Sequence, residues 1–202
     1  QHDNDVDVED MKTTNGTFIN ERRIKGSQVL KDGDMVRLGT VLFKFFAHGN
    51  IENVFHDKIY RMATIDSTTQ IFNKKHMFES LESEFKISRN YSRNLCIIYF
   101  DLDFFKKVND THGHNTGDFI LLETCKIVKA AIRKHDVLGR IGGEEFLIIL
   151  PDTEIRTAAE LAERIRVAVD GHKFSIGGKA LNKTISMGVS QMKSTYKSYQ
   201  DL

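Results

Sequence analysis

Apolar and polar positions change rhythm part-way along the chain. Up to residue 47, apolar residues come in short runs broken by Gly, Asn and Asp. Val36, Leu38, Val41, Phe43 and Phe45 flank Gly39-Thr40, and Lys31-Asp32-Gly33-Asp34 marks a second turn, so this segment reads as short strands of a sheet or sandwich. A piece of about 45 residues is too small to bury a core of its own, and it looks like half a domain. Phe43, Phe45 and Phe46 are expected in the sandwich core rather than around a ligand. From Ile51 to Met62, the apolar positions Ile51, Val54, Phe55, Ile59 and Met62 recur at spacings of three and four, which predicts a connecting helix.

Beyond that point helix and strand rhythms alternate. His76–Ser88, with Met77, Leu81 and Phe85, predicts an amphipathic helix; so do Phe119–Lys134, with Leu121, Cys125, Val128 and Ile132, and Ile155–Val169, with Ala158, Ala162, Ile165 and Val169. Leu95–Phe100 and Phe146–Leu150 are apolar runs expected as buried strands, and Thr184–Val189 is expected as a final strand. The result is an α/β or α+β domain, a central sheet covered by helices. The boundaries drawn are residues 1–47, a linker helix over 48–65, and 66–202.

Composition narrows the function. Of 202 residues, 29 are Lys or Arg and 28 Asp or Glu, a formal charge of +1, which excludes a generally basic nucleic-acid binder. No apolar run reaches the ~20 residues that span a bilayer, and no secretory signal is visible, so neither nucleic acid nor membrane is expected as a partner. Cys96 and Cys125 sit among apolar residues and are expected as buried free thiols in a reducing compartment.

Two acidic clusters carry the candidate chemistry. Asp101-Leu102-Asp103 lies where the strand from Leu95 runs out, and Gly142-Gly143-Glu144-Glu145-Phe146 opens the next strand. Carboxylates converging at adjacent strand ends repel unless cations neutralise them. Mg²⁺ suits such oxygen donors together with phosphate oxygens, and the paired glycines allow a phosphate to approach the backbone. The pattern points to metal-assisted phosphoryl or nucleotidyl transfer. His112 and His114 have no third partner at metal-binding spacing and are expected as turn and helix-entry residues.

The spaced motifs make residues 66–190 resemble the GGDEF family of diguanylate cyclases, in its GGEEF variant. Asp101–Lys106 with Asn109-Asp110 resembles the family's DxDxFK…ND stretch; Gly113-His114 and Gly117-Asp118 its GHxxGD; Ser186-Met187-Gly188-Val189 its SxGV strand; and Arg140 precedes the signature as in the family. Asp66–Asn73 corresponds loosely to its DxLTGLxN turn, with Thr68 and Gln70 in place of the usual Leu and Gly. The resemblance implies that two GTP condense to cyclic di-GMP with loss of two pyrophosphates, across a homodimer. It implies that Asp101, Glu144 and the Leu102 carbonyl hold Mg²⁺ or Mn²⁺, two per active site, with Glu145 beside them contributing charge and guanine contacts, and that Asp101, Glu144 and Glu145 are the catalytic residues. Asn109 and Asp118 would read guanine, Lys106 would contact the triphosphate, and Phe105 and Gly143 would complete the substrate contacts. Arg133-Lys134-His135-Asp136 resembles the family's RxxD site, where Arg133 and Asp136 would bind the product as inhibitor. A bacterial cytoplasm is implied by the same resemblance, as is a last helix beyond Leu202.

The first segment has its own resemblance. Asp10–Asn20, followed by Leu30–Asp34 and Leu38-Gly39, is similar to the C-terminal half of a forkhead-associated (FHA) β-sandwich. The resemblance implies a phosphothreonine-containing protein as partner, with Thr13 and Asn15 at its binding loop. The family's upstream Gly-Arg and Ser-x-x-His motifs are absent. The leading expectation is a diguanylate cyclase regulated by the FHA piece. A non-catalytic receptor for GTP or cyclic di-GMP, or a phosphopeptide-binding scaffold, stand as alternatives; retention of Asp101, Glu144 and Glu145 favours the enzyme.

Overall fold

Two strands with alternate residues sent to opposite sides organise the larger part of the chain. The computed structural model describes residues 6–47 and 51–202. The chain divides into two compact units, Gln1–Tyr60 and Arg61–Leu202.

In the first unit β1 (Asp7–Glu9) pairs with β4 (Ser27–Val29), and β2 (Thr17–Ile19), β3 (Arg22–Arg23), β5 (Met35–Leu38) and β6 (Val41–Lys44) form a sheet of order β3-β2-β5-β6. Both predicted turns form. Gly39, at φ +60°, closes the β5–β6 hairpin, and in the second turn the Asp34 N–H reaches the Lys31 carbonyl. The buried centre is small: Ile19, Ile24 and Val36, with Val8 and Leu30 against it. The expectation for the Phe-rich stretch needs correction. Phe43 is 52% exposed, as are Val41 and Leu42, because β6 is an edge strand: Phe43 stands opposite buried Val36 of β5, but the small buried centre does not cover it.

Helix α1 (Ile51–Thr64) covers the predicted linker helix; the side chains of Ile51 and Val54 lie outside the described residues. Helix α2 (Lys74–Tyr91) starts where the Asn73 side chain accepts the His76 N–H, an N-cap that satisfies a helix donor otherwise left open. Strand β7 (Leu95–Leu102) is followed by α3 (Phe105–His112) and α4 (His114–Ala131), hinged at Gly113 (φ +82°). Strands β8 (Val137–Arg140) and β9 (Glu145–Pro151) form a hairpin; α5 (Ile155–Asp170), the hairpin β10 (Lys173–Ile176)–β11 (Lys179–Asn182) and β12 (Ile185–Gln191) complete the unit. Helices α3 and α4, strand β8 and the β10–β11 hairpin differ from the expectations. Helix α3 was not expected, because eight residues carry only two buried positions, Phe105 and Val108. Strand β8 is short and holds Gly139, and the β10–β11 hairpin has a Gly177-Gly178 turn at positive φ. Helix α4 starts earlier and ends earlier than Phe119–Lys134, so Arg133 and Lys134 lie in the turn beyond it.

The central sheet has order β12-β7-β9-β8, every pair antiparallel. One face carries Cys96, Ile98, Phe100 and Leu102 of β7 and Phe146, Ile148 and Leu150 of β9, covered by α3, α4 and α5. Phe100 and Phe146 stack there with centroids 4.9 Å apart. The other face carries Leu95, Leu147 and Ile149 under Met77, Leu81 and Phe85 of α2. Burying such side chains supplies roughly 1.5–3 kcal/mol each, which fixes the register. Both cysteines are buried and free, and burial pushes their thiols up to about 11 for Cys96 and about 12 for Cys125. No helix among the described residues is long and apolar enough to cross a membrane.

Candidate active site

The acidic clusters meet because register forces them to. Antiparallel pairing sets Asp101 of β7 directly opposite Glu145 of β9 and, on the other side, opposite Ser186 of β12. The Leu102 N–H reaches the Glu144 carbonyl at 3.3 Å, so the signature hairpin turn lies against the end of β7. Asp101 and Glu145 share the sheet face that α2 covers further along. Asp101 and Glu144 accept no hydrogen bond from the described residues, leaving both carboxylates available to a ligand. Among those residues no three His, Cys, Asp or Glu side chains converge; the donors on hand are two carboxylates and the Leu102 carbonyl. An all-oxygen set of this size suits Mg²⁺ or Mn²⁺, which keep positions for phosphate oxygens.

Asp103 differs from Asp101. Its carboxylate accepts the hydroxyls of Thr184 (2.5 Å) and Ser186 (2.7 Å), so it ties the start of β12 to the end of β7. Phe104 then takes φ +56° and turns the chain into α3, its ring 79% exposed. Along α3, Phe105 is buried, Lys106 is exposed, and Asn109 is half-buried against α4. A Cβ on Gly117 would lie 2.0 Å from Asn109 Oδ1; the glycine is what lets the amide sit there. That oxygen is buried with no hydrogen-bond partner among the described residues. Asp118 follows Gly117 on α4 and is exposed.

Arg140 anchors the signature turn. Its Nε lies 3.1 Å from the carbonyls of both Gly142 and Gly143, its Nη2 2.6 Å from that of Gly143, and its Nη1 3.2 Å from Asp66 Oδ1. Asp66 also accepts the N–H and hydroxyl of Thr69. Burial works to raise its pKa, but the Thr69 hydrogen bonds and Arg140 outweigh it and hold the carboxyl below its ordinary 3.8. Gln70 takes φ +57° in this turn, supplying the left-handed residue where glycine is usual, and its Nε2 closes on the Ser67 carbonyl at 2.7 Å. Gly143 faces open space. Tyr99, which the sequence reading passed over, donates its hydroxyl to Glu145. That bond and burial push the phenol up to about 12.

Arg133 and Asp136 sit apart from this cluster, in the turn after α4. Asp136 Oδ2 accepts the Arg133 N–H at 2.7 Å, while Oδ1 is buried without a partner, 3.8 Å from His135 Nε2. They line a cavity of about 420 Å³ with Gln70, Phe72, Lys129 and Leu138. In the first unit, the Thr13 hydroxyl donates to Asp10 at 2.8 Å, and Asn15 lies exposed in the turn beside Gly39. The signal that could have pointed to Tyr99 is its position on β7, two residues before Asp101 on the same face; Asp66 stands in the turn that resembles the family's DxLTGLxN, and its pairing with Arg140 comes from the fold.

Comparison with known proteins follows the same division. Residues 63–202, well over half the chain, match the family described as Diguanylate cyclase, GGDEF domain, and residues 1–39 match the FHA domain. Diguanylate cyclase A of Treponema denticola is 40% identical over 139 residues, covering 67% of this chain and 37% of that protein. The response regulator PleD of Caulobacter vibrioides is 40% identical over 136 residues, covering 66% and 30%. The chain thus spans about a third of the length of these curated relatives. Among solved structures, the active GGEEF domain of a diguanylate cyclase from Vibrio cholerae superposes with TM-score 0.62 at 32% identity, covering 66% of this chain and 84% of that one. The coiled coil and GGDEF domain of DgcB from Caulobacter crescentus, in complex with c-di-GMP, gives 0.70 at 25%, covering 74% and 80%.

Proposed function

The chain belongs to the GGDEF family of diguanylate cyclases, and from that premise we propose that it condenses two GTP into cyclic di-GMP. Each GTP 3′-oxygen bonds to the α-phosphorus of the other, and two pyrophosphates leave. The observation that supports this reading is the register setting Asp101 against the signature hairpin, with Asp101 and Glu144 free of hydrogen-bond partners among the described residues. Asp101, Glu144 and the Leu102 carbonyl would hold Mg²⁺ or Mn²⁺, two per active site. When bound, these cations supply Lewis-acid stabilisation of charge on the α-phosphate.

The other roles fall to this chain's own side chains. Asn109 and Asp118 read the guanine edge, a side-chain amide and a carboxylate offering complementary acceptors and donors. Lys106, one turn before Asn109, sets its ammonium toward the triphosphate, at the start of α3, whose first N–H groups favour an anion. The Phe105 ring, buried under this corner, and the open backbone of Gly143 shape the approach of the nucleotide. One such site holds one GTP, so two copies face each other about a two-fold axis. The exposed Phe55, Ile59 and Met62 of α1, spaced four and three apart, supply an apolar seam for that pairing.

Regulation belongs to the same reading. Arg133 grips a phosphate or a guanine edge of bound product, with Asp136 beside it, giving product inhibition away from the active site. The FHA unit, through Thr13 and Asn15, takes a phosphothreonine partner and sets how the two catalytic units meet. The test is incubation of the purified chain with GTP and Mg²⁺, products being identified by mass. Cyclic di-GMP from the parent and none from Glu144→Ala is the expected result; a parent that leaves GTP unchanged removes the activity.

A further inference from the structure

The uncovered end of the sheet face holds an arrangement that the assigned roles do not use. Beyond the reach of α2, β7 presents Tyr99 and then Asp101, β9 presents Glu145, and β12 presents Gly188 and Ser186. Asp101 and Glu145 are directly opposite on one face, where two carboxylates repel. Glu145 does not stand against Asp101. Its Oε1 takes the Tyr99 hydroxyl, two residues back along β7, and its Oε2 lies over Gly142, in the space where a Cβ would come within 1.9 Å. Two features make this seat possible. Gly142 has no side chain to fill it, and Gly188, opposite Tyr99 across β12 and itself in open space, leaves the phenol uncrowded. A hydrogen bond to a carboxylate is about twice as strong as one between neutral groups, enough to select one rotamer of an exposed glutamate.

We propose that Tyr99 is a positioning residue of the signature: its hydroxyl holds the Glu145 carboxylate away from Asp101, leaving Asp101 and Glu144 as the two carboxylates that receive the cation. The inference rests on the cation site proposed above. Without the hydroxyl, Glu145 is free to swing toward Asp101 when a cation is present and to add a third carboxylate. Affinity for a hard cation rises with the charge of its ligand set, and the added ligand takes a position otherwise left to phosphate oxygen. Tyr99→Phe therefore binds divalent cation more tightly, turns GTP over more slowly and has a raised KM for GTP.

The deciding measurement is a titration of the purified chain with Mn²⁺ alone, free Mn²⁺ being read from its paramagnetic resonance signal. Parent, Tyr99→Phe, Glu145→Gln and the double variant are compared. Tyr99→Phe keeps the ring and its packing, and matching circular dichroism with the parent checks the fold. The expected result is about tenfold tighter binding in Tyr99→Phe and no effect of the same change in the Glu145→Gln background. Gly142→Ala, which fills the seat of Oε2, should tighten binding in the same direction and gives a second route to the phenotype if Tyr99→Phe does not fold. Equal or weaker binding in the variant, or an equal effect in both backgrounds, overturns the proposal. A parent that binds Mn²⁺ but makes no cyclic di-GMP removes the cyclase reading and leaves the inference to the titration. A parent that binds no Mn²⁺ overturns both.

Discussion

Gly117 shows how much one missing side chain can decide. A methyl group there would meet Asn109 Oδ1 at 2.0 Å and the Phe105 ring at 3.0 Å, so Gly117→Ala must push the amide out of its buried position. Losing one well-placed hydrogen bond to a base costs about 1.4 kcal/mol; steady-state kinetics should show KM for GTP raised about tenfold with kcat little changed. Asp66 acts on stability instead. Its carboxylate accepts from Thr69 and Arg140 and is 23% exposed at the side chain, so Asp66→Asn should destabilise by about 1 kcal/mol after allowance for solvent screening. That corresponds to roughly 3 °C in Tm. Because the folded pKa lies below 3.8, the contribution is complete above pH 3.8 and disappears as pH falls through the folded value. Denaturant midpoints for parent and variant should therefore differ at pH 7 and converge in acid. The family motifs single out Asp101, Glu144, Asn109 and Asp118 as candidates. The close fit of Gly117 to Asn109 and the pairing of Asp66 with Arg140 are not in those motifs, since each depends on an atom brought close by another element.

The β8–β9 hairpin is the element on which the site depends, and its turn is short of support of its own. Ile141 and Gly142 N–H groups reach the Glu145 carbonyl, and the Arg140 guanidinium holds the next two carbonyls while Asp66 holds the guanidinium. Through this pairing the turn after α1 is connected to the signature. Arg140→Ala should leave the β8–β9 ladder intact but free its turn. Hydrogen exchange at Ile141 and Gly142 is expected to quicken at least about tenfold, as local opening becomes easier, with slower turnover of GTP. Exchange unchanged at both amides would contradict this view of the hairpin. The strand rhythm of Phe146–Leu150 predicted β9, but β8 carries too few apolar positions, and its partner role appears only once Leu138 and Gly139 pair with Ile148 and Leu147.

The proposed pairing of two copies sets the expected kinetics. If each copy holds one GTP, the initial rate should rise with the square of protein concentration while monomers dominate, then become linear once dimers saturate. Measuring rate against concentration beside the mass in solution tests this; a linear rate from a species of monomeric mass would rule it out. Phe55, Ile59 and Met62 on α1 are the residues whose replacement by Ser should push the transition to higher concentration.

Local pattern was enough to establish the helix-and-sheet class, the β7 and β9 strands and the two acidic clusters, because side-chain period and turn chemistry are properties of neighbouring residues. The same holds for the family motifs, which are spacings along the chain. Tertiary structure alone decided which carboxylate is free and which is held. Asp101 and Asp103 stand two residues apart, yet Asp103 is tied by Thr184 and Ser186. Glu144 and Glu145 are adjacent, yet Glu145 is taken by Tyr99. A carboxylate's role is set by the donors around it, and those donors arrive from distant parts of the chain through strand register.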